Sequence, residues 1–194
     1  MKRLWLLLVP LVTLAFAAPL TAQSFEIIPQ IGLTLTDYSG SGVNASVGAG
    51  FTAGGKVRFG RTFYVDGGFF WSWAGASVDE GTLTSQSFYI GSIQTPVTVG
   101  YRILRASVVA LRIFAGVVPS FVTSVSDTDL GIEKSDLNST LWSGKFGAGV
   151  DILILAVDIS YQPGFTDIFS NPDPGDPEVK QNSWLIEAGL RFGF

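Results

Sequence analysis

Apolar and polar residues alternate along most of the chain, and the pattern is clearest in the C-terminal stretch NSWLIEAGLRFGF. From Trp184 to Phe194 every second residue is apolar, and Glu187 and Arg191 fall between them. A helix would bring this Glu and Arg together as a surface pair four residues apart. A strand would instead place both on one face, opposite a stripe without a polar residue. Strict alternation with aromatic residues predicts the strand.

The same alternation predicts eight strands, at residues 25–36, 45–59, 62–74, 87–102, 107–123, 140–152, 155–166 and 183–194. The first, third, fifth and seventh connections are long and polar, whereas the second, fourth and sixth are short. An even number of strands with long loops at one end and tight turns at the other is typical of membrane barrels. We therefore predict an all-β fold: an eight-stranded antiparallel transmembrane β-barrel with short periplasmic turns and long extracellular loops.

The composition supports a sheet in contact with lipid. The chain of 194 residues is 47% hydrophobic and 14% charged, against roughly 25% charged residues in a typical soluble domain. After the N-terminus no apolar run approaches the ~20 residues that a transmembrane helix needs. The apolar surface is therefore expected on one face of the strands.

The charged residues of the predicted strands all fall on one face, and the opposite face carries none. An apolar face without charge suits lipid, where an Arg or Lys at the bilayer midplane costs a barrel about 2–4 kcal/mol. We expect the charged face to line the lumen as a network of ion pairs. Its members are Glu26, Lys56, Arg58, Asp66, Arg102, Arg112, Lys145, Asp151, Asp158, Glu187 and Arg191.

Alternation alone also fits a soluble, lipocalin-like barrel whose apolar face points inward. Three features favour the membrane barrel. Eleven charges are too sparse for a solvated exterior, where about 25–35% is usual. The polar face is rich in glycine, which leaves room for Lys and Arg inside a narrow barrel. Aromatic residues lie near both strand ends, as interfacial belts do: Trp71, Trp73, Trp142 and Trp184 near the long loops, and Phe59, Phe63, Tyr101, Phe192 and Phe194 near the short turns.

The N-terminus has the form of a secretory signal peptide. Lys2 and Arg3 precede an apolar run over residues 4–16, and small residues follow. The run is too short for a membrane span and fits an export signal. We expect a signal peptide at residues 1–22 and a barrel domain at residues 23–194; cleavage after Ala17 is the alternative to cleavage after Ala22.

The chain contains no cysteine and no histidine, which excludes thiol chemistry, disulfides, histidine-based triads and histidine ligation of zinc or haem. Asp158 and Glu187 lie on neighbouring predicted strands and could in principle act as acid and base. Ion pairing, for example Glu187 with Arg191, explains such carboxylates better. We predict neither an enzyme nor a cofactor.

The long loops are strongly acidic, with eleven acidic and two basic residues. A solvated charge run is the plainest interpretation. Calcium binding at Asp127 and Asp129, or at Asp173, Asp176 and Glu178, is the alternative that carboxylate oxygens allow. Neither group matches a calcium-loop pattern, so no metal ligands are predicted. An acidic rim also argues against a nucleic-acid partner.

Three motifs resemble the outer-membrane β-barrel families of Gram-negative bacteria, in particular the porin-like, PorT-type barrels found in Bacteroidetes. They are GKFGAGVDILILAVDISYQPGFTDI (residues 144–168), the terminal NSWLIEAGLRFGF and, more weakly, IQTPVTVGYR. The resemblance implies an outer-membrane location. It also implies that the last strand, ending in Phe194, is the signal recognised by the outer-membrane insertion machinery.

Two functions remain open on the sequence. The first is a closed barrel with an ion-paired lumen, which has a structural or interaction role through its acidic extracellular loops. The second is a narrow porin-like channel for ions or small solutes. They differ in whether the lumenal charges pair across the bore or line a gap. Outer-membrane lipid and the insertion machinery are the expected partners, and the sequence identifies no partner for the loops.

Overall fold

The computed structural model describes residues 24–39, 45–78, 86–126, 138–168 and 179–193, so the predicted signal peptide lies outside the described residues. Among the described residues, no helix is long and apolar enough to cross a membrane. The strand segments are β1 (Phe25–Ser39), β2 (Ala45–Ser46), β3 (Gly48–Phe59), β4 (Phe63–Val78), β5 (Gln86–Gln94), β6 (Val97–Arg105), β7 (Val109–Ser126), β8 (Thr140–Ile152), β9 (Leu155–Gln162), β10 (Lys180–Leu190) and β11 (Phe192–Gly193).

These segments form a closed antiparallel barrel of eight strands. Three barrel strands are each interrupted once, so β2 with β3, β5 with β6, and β10 with β11 each make one strand. Sequential neighbours pair antiparallel, and β1 closes the barrel by pairing with β3 on one side and with β10 and β11 on the other. The predicted all-β barrel is confirmed.

The interruptions and ends of the strands have local causes. The predicted strand 87–102 is divided at Thr95 and Pro96, because proline has no N–H for the ladder. Pairing continues around the break, since the Gly68 N–H donates to the Pro96 carbonyl at 2.9 Å. Strand β9 ends before Pro163 rather than at residue 166. The chain beyond it still lies along β8, where the Phe165 N–H donates to the Trp142 carbonyl at 2.8 Å.

The two faces of the barrel wall differ sharply in exposure. On β1, Ile31 and Leu33 are 69% and 68% exposed, whereas Gln30 and Thr34 are each 3% exposed. The same contrast follows the other strands, and large apolar side chains cover the outer surface. An apolar surface of this extent is unusual for a protein in water. It suits the hydrocarbon of a bilayer, with the polar side chains enclosed in the bore.

Candidate functional site in the barrel lumen

The charged residues of the strands are packed inside the barrel. Their side chains are no more than 10% exposed, except that of Arg191, which is 20% exposed. Burying a charge away from water is unfavourable unless the charge is paired. The geometry of their pairing therefore determines what the lumen can do.

Glu26 and Asp151 organise the charges nearest the short turns. Glu26 accepts hydrogen bonds from Nη2 of Arg102 at 2.8 Å and from Nη2 of Arg191 at 2.6 Å. Asp151 lies 3.5 Å from the guanidinium of Arg191 and 3.5 Å from that of Arg58. The two carboxylates and their arginines thereby join five barrel strands at the base of the bore.

Asp158 and Asp66 organise the next layer towards the middle of the bore. Asp158, which is fully buried, accepts a hydrogen bond from Nζ of Lys56 at 2.8 Å and contacts Nη2 of Arg112. Asp66 accepts a forked pair of hydrogen bonds from Nε and Nη2 of Arg58, at 2.8 and 2.9 Å. Two parallel hydrogen bonds from a planar guanidinium group to one carboxylate form a strong, directional contact.

These layers are linked into one continuous network of five bases and four acids. Arg112 joins them, because its Nε also donates to Asp151 at 2.9 Å. Several links cross the bore rather than following its wall. Arg58 on β3 and Asp151 on β8 belong to strands four positions apart in a barrel of eight, which is diametrically opposite. The network therefore bridges the full width of the lumen.

Lys145 and Glu187 form a separate pair higher in the bore, with Nζ 2.7 Å from Oε2. The predicted pairing of Glu187 with Arg191 is therefore wrong. The reason is geometric: four residues along a strand span about 13 Å, too far for an ion pair. Arg191 instead reaches Glu26 on the neighbouring strand.

Aromatic rings fill the space between the charges. The Tyr64 ring lies 4.2 Å from the guanidinium carbon of Arg58, and the Phe114 ring lies 5.8 Å from Nζ of Lys56. Cations at such distances are attracted to the ring face. A Cβ on Gly100 would collide with the ring of Tyr64, so the glycine is what allows the ring to lie flat against the wall. Alternation places Tyr64 with Asp66 and Phe114 with Arg112 on the inner face, but it does not predict that their rings pack against the charges.

The cavities left inside the wall are small. Two of them each hold about 20 Å³, one above the charge network and one beside Lys56 and Phe114. A water molecule needs about 10–15 Å³ of such volume, so each cavity has room for a single water. A wider cavity of about 250 Å³ opens at the short-turn end.

A cluster of apolar side chains occupies the long-loop mouth of the bore. Ile90, Val122 and Leu141 from three strands pack with Ile168 and Val179 from the seventh connection, and all five are at most 8% exposed. The backbone there is tied down, since the Ile168 N–H donates to the Val179 carbonyl at 3.0 Å and the Asn138 N–H donates to that of Ile168 at 2.8 Å. This connection is polar in overall composition, and the alternation of the strands does not predict the cluster.

The predicted belt residues that the structure describes lie on the outer face of the wall. Those exposed there are Trp71, Trp142 and Trp184 towards the long loops, and Phe59, Phe63, Tyr101 and Phe192 near the short turns. Trp73 is partly buried and stacks on Phe51 with 4.4 Å between ring centroids. Phe194 lies outside the described residues.

The carboxylates of the lumen are engaged by bases rather than left free to transfer protons. Asp158 and Glu187 are directly paired in register on β9 and β10, but each is contacted by its own lysine. Within the part of the chain that the structure describes, no group of three or more acidic side chains is arranged to hold a metal ion.

Sequence comparison agrees with this architecture. Residues 8–192 match the family described as the outer membrane protein beta-barrel domain. The chain belongs to this family. It is therefore a small barrel protein of the Gram-negative outer membrane, in contact with the lipid bilayer. The sequence matches no curated protein.

Solved structures with similarity to this chain include several outer-membrane barrel proteins. Ail, the attachment invasion locus protein of Yersinia pestis, solved in complex with the heparin analogue sucrose octasulfate, is 19% identical, with a TM-score of 0.46 over 87% of this chain and 99% of Ail. Neisserial surface protein A is 16% identical, with a TM-score of 0.48 over 87% of this chain and 97% of its own. The N-terminal barrel domain of Pseudomonas aeruginosa OprF is 9% identical, with a TM-score of 0.36 over 84% of this chain and 97% of that domain.

Proposed function

We propose that this protein is a closed outer-membrane barrel that acts as a structural or interaction protein through its extracellular loops. The observation that carries the proposal is the ion-pair network, which bridges opposite strands across the bore. Eight strands enclose a lumen that side chains can just fill, whereas water-filled porins have about 16–18 strands. A lumen filled by paired charges and aromatic rings leaves the loops as the part free to meet a partner.

The second candidate, a narrow porin-like channel, is supported by the cavity of about 250 Å³ at the short-turn end. It would require the network to open, because Arg58 and Asp151 close the bore just above that cavity. Breaking such a buried pair costs about 3–5 kcal/mol, so an open state would be rare. The same charges that would make a channel selective therefore argue against conduction.

Liposome swelling tests the two candidates with uncharged solutes. The refolded chain, with insertion verified separately, should swell liposomes in small sugars no faster than protein-free liposomes do. A known porin inserted at the same density is the positive control. Size-dependent swelling by this protein would overturn the closed barrel and favour the channel.

The role of the loops rests on their composition. With the strand boundaries predicted from the sequence, eleven acidic and two basic residues lie in them. In the structure Asp37 lies within β1 and Lys180 begins β10, and most of the other positions are outside the described residues. If the loops mediate contacts and the barrel is self-sufficient, neutralising Asp173, Asp176 and Glu178 as amides should leave refolding yield unchanged. The same variant should bind cationic polymers on the surface of proteoliposomes more weakly. A loss of refolding would show instead that the loop charges serve the fold.

The C-terminal strand is the proposed signal for the insertion machinery. The support is that β10 and β11 form the closing seam with β1, where Ile27 pairs with Phe192, so this edge is exposed before closure and is open to capture by strand pairing. Deleting Phe194 should slow assembly in cells and leave refolding into synthetic vesicles unaffected. Equal assembly in cells would refute the assignment. Membership of the PorT-type subgroup stays a prediction from the sequence motifs.

A further inference from the structure

The short-turn end of the bore opens into a vestibule of about 250 Å³, whose floor is the lowest layer of the ion-pair network. The charged residues that line it are Glu26, Arg61, Arg102, Arg105, Asp151 and Arg191. They come from β1, from the first short turn and from the ends of three other barrel strands. Since short turns of outer-membrane barrels face the periplasm, the vestibule opens to that compartment.

The arginines of the vestibule fall into two classes. Arg102 and Arg191 are held in place by Glu26, and Nη1 of Arg102 also donates to the carbonyl oxygens of Gly60 and Arg61. Arg61 and Arg105 are exposed. Within the described ranges, their side chains take part in no ion pair. The rim therefore has two unengaged guanidinium groups above a floor of two arginines and two carboxylates.

The charge balance of the lining indicates the charge of a ligand. Four arginines face two carboxylates, which leaves two excess positive charges. The floor cannot relieve this excess, because the network that includes it has five bases and four acids. A ligand with two negative charges would neutralise the lining, whereas a carboxylate or a phosphodiester carries only one.

We propose that the vestibule binds a phosphomonoester or inorganic phosphate, held by Arg61 and Arg105 at its rim. A phosphomonoester carries about −1.5 to −2 charges at neutral pH, and guanidinium groups match its oxygens with forked hydrogen bonds. The exposed hydroxyl of Ser107 on the turn after β6 adds a neutral donor at the same site. The volume is below the roughly 300 Å³ at which drug-sized pockets begin, so it suits an ion or a small head group.

The site binds the ligand without conducting it. Arg58, which is fully buried and paired with both Asp66 and Asp151, lies across the bore beyond the vestibule. The proposal is independent of the closed state of the barrel, since an anion could occupy the vestibule whether or not the bore opens. Conductance measurements and binding measurements can therefore fail separately.

Calorimetric titration of the refolded chain in maltoside micelles, a detergent without phosphate, tests the proposal. Inorganic phosphate should bind near neutral pH and acetate should bind more weakly. Arg61→Gln/Arg105→Gln should weaken phosphate binding by about tenfold or more. Arg61→Lys/Arg105→Lys keeps the positive charges but cannot form the forked hydrogen bonds of a guanidinium group. Its affinity for phosphate should lie between those of the glutamine variant and the original chain. Lys180→Gln removes one positive charge at the other end of the barrel and should have no effect.

Two further titrations identify the source of the phosphate. Short-chain phosphatidic acid that binds the original chain but not Arg61→Gln/Arg105→Gln would assign the site to a lipid head group. Binding of inorganic phosphate alone would assign it to a soluble ligand of the periplasm. Short-chain phosphatidylcholine, a phosphodiester, should bind neither protein at this site. Equal binding of phosphate and acetate, equal binding by the original chain and the glutamine variant, or binding of neither phosphate nor phosphatidic acid would overturn the proposal.

Discussion

Replacing Asp158 by Asn should destabilise the barrel more than other single changes of similar size in the lumen. The substitution keeps the shape of the side chain and removes the charge that faces Lys56 and Arg112. The network then holds five bases and three acids in place of five and four. Lys56 and Arg112 would each lose their contact with this carboxylate. Arg112 would keep its contact with Asp151, and Lys56 would keep a longer contact of 3.7 Å with Asp66.

The size of the effect follows from the geometry. At 2.8 Å, with an effective dielectric constant of about 20, the attraction between Lys56 and Asp158 is about 6 kcal/mol. Desolvation of both groups offsets part of this, and breaking buried pairs in other proteins costs about 3–5 kcal/mol. We expect Asp158→Asn to lower the free energy of unfolding by about 3–5 kcal/mol.

Equilibrium unfolding in urea from lipid vesicles, followed by tryptophan fluorescence, measures this change. Ser160→Ala is the matched control, because Ser160 points into the bore from the same strand and its hydroxyl has no hydrogen-bond partner in the described structure. It should change stability by less than about 1 kcal/mol. Adding Lys56→Met to Asp158→Asn restores the net charge of the network and should recover part of the loss.

Two results would refute this reasoning. If Asp158→Asn costs no more than Ser160→Ala, the ion pairs do not stabilise the lumen. If the losses from Asp158→Asn and Lys56→Met simply add in the double variant, the two residues are not coupled through a shared contact.

Three other substitutions test separate parts of the account. Val157→Arg on the lipid face should cost about 2–4 kcal/mol, measured as the free energy of unfolding from vesicles, while Val157→Leu should be nearly neutral; equal effects would contradict the assignment of faces. Gly149→Ala should lower the free energy of unfolding by about 1–3 kcal/mol, because its methyl group would meet Asp158 and Arg112. Gly67→Ala, which has open space on the outer face, should be tolerated, and the same cost at both sites would show that lumenal crowding is not the cause. Ile168→Ala should loosen the mouth cluster and speed hydrogen exchange at the Asn138 amide without changing exchange in the middle of β9; unaltered exchange at Asn138 would show that the cluster does not hold the mouth.

The barrel was predictable because a single periodicity carries most of the information. On β10, Trp184 and Ile186 are exposed to lipid while Leu185 and Glu187 are buried in the bore, as alternation requires. The length contrast between loops and turns then predicted which end of the barrel carries the long loops. Strand ends were less predictable, since Pro163 ends β9 before the alternation itself stops.

The contents of the lumen were only partly predictable. Alternation places Arg58 and Asp151 on the inner face but carries no information on which inward residues meet. Their contact depends on how strands four positions apart face each other across the bore. The inward apolar residues Phe70 and Phe114 were also overlooked, because an apolar residue on a polar face does not disturb the pattern of charges. The burial of Ile168 and Val179 could not be predicted, because they lie in a connection whose other residues are mostly Pro, Asp and Gly.

Single-channel conductance in planar bilayers tests the central claim, that paired charges close the bore. The refolded chain should be recorded after insertion has been confirmed independently, for example by resistance of the barrel to protease. A closed barrel predicts silent membranes under applied voltage at every salt concentration tested. Discrete, reproducible current steps from properly inserted protein would contradict the account, and Lys56, Arg58, Arg112 and Asp158 would then be the residues to test for ion selectivity.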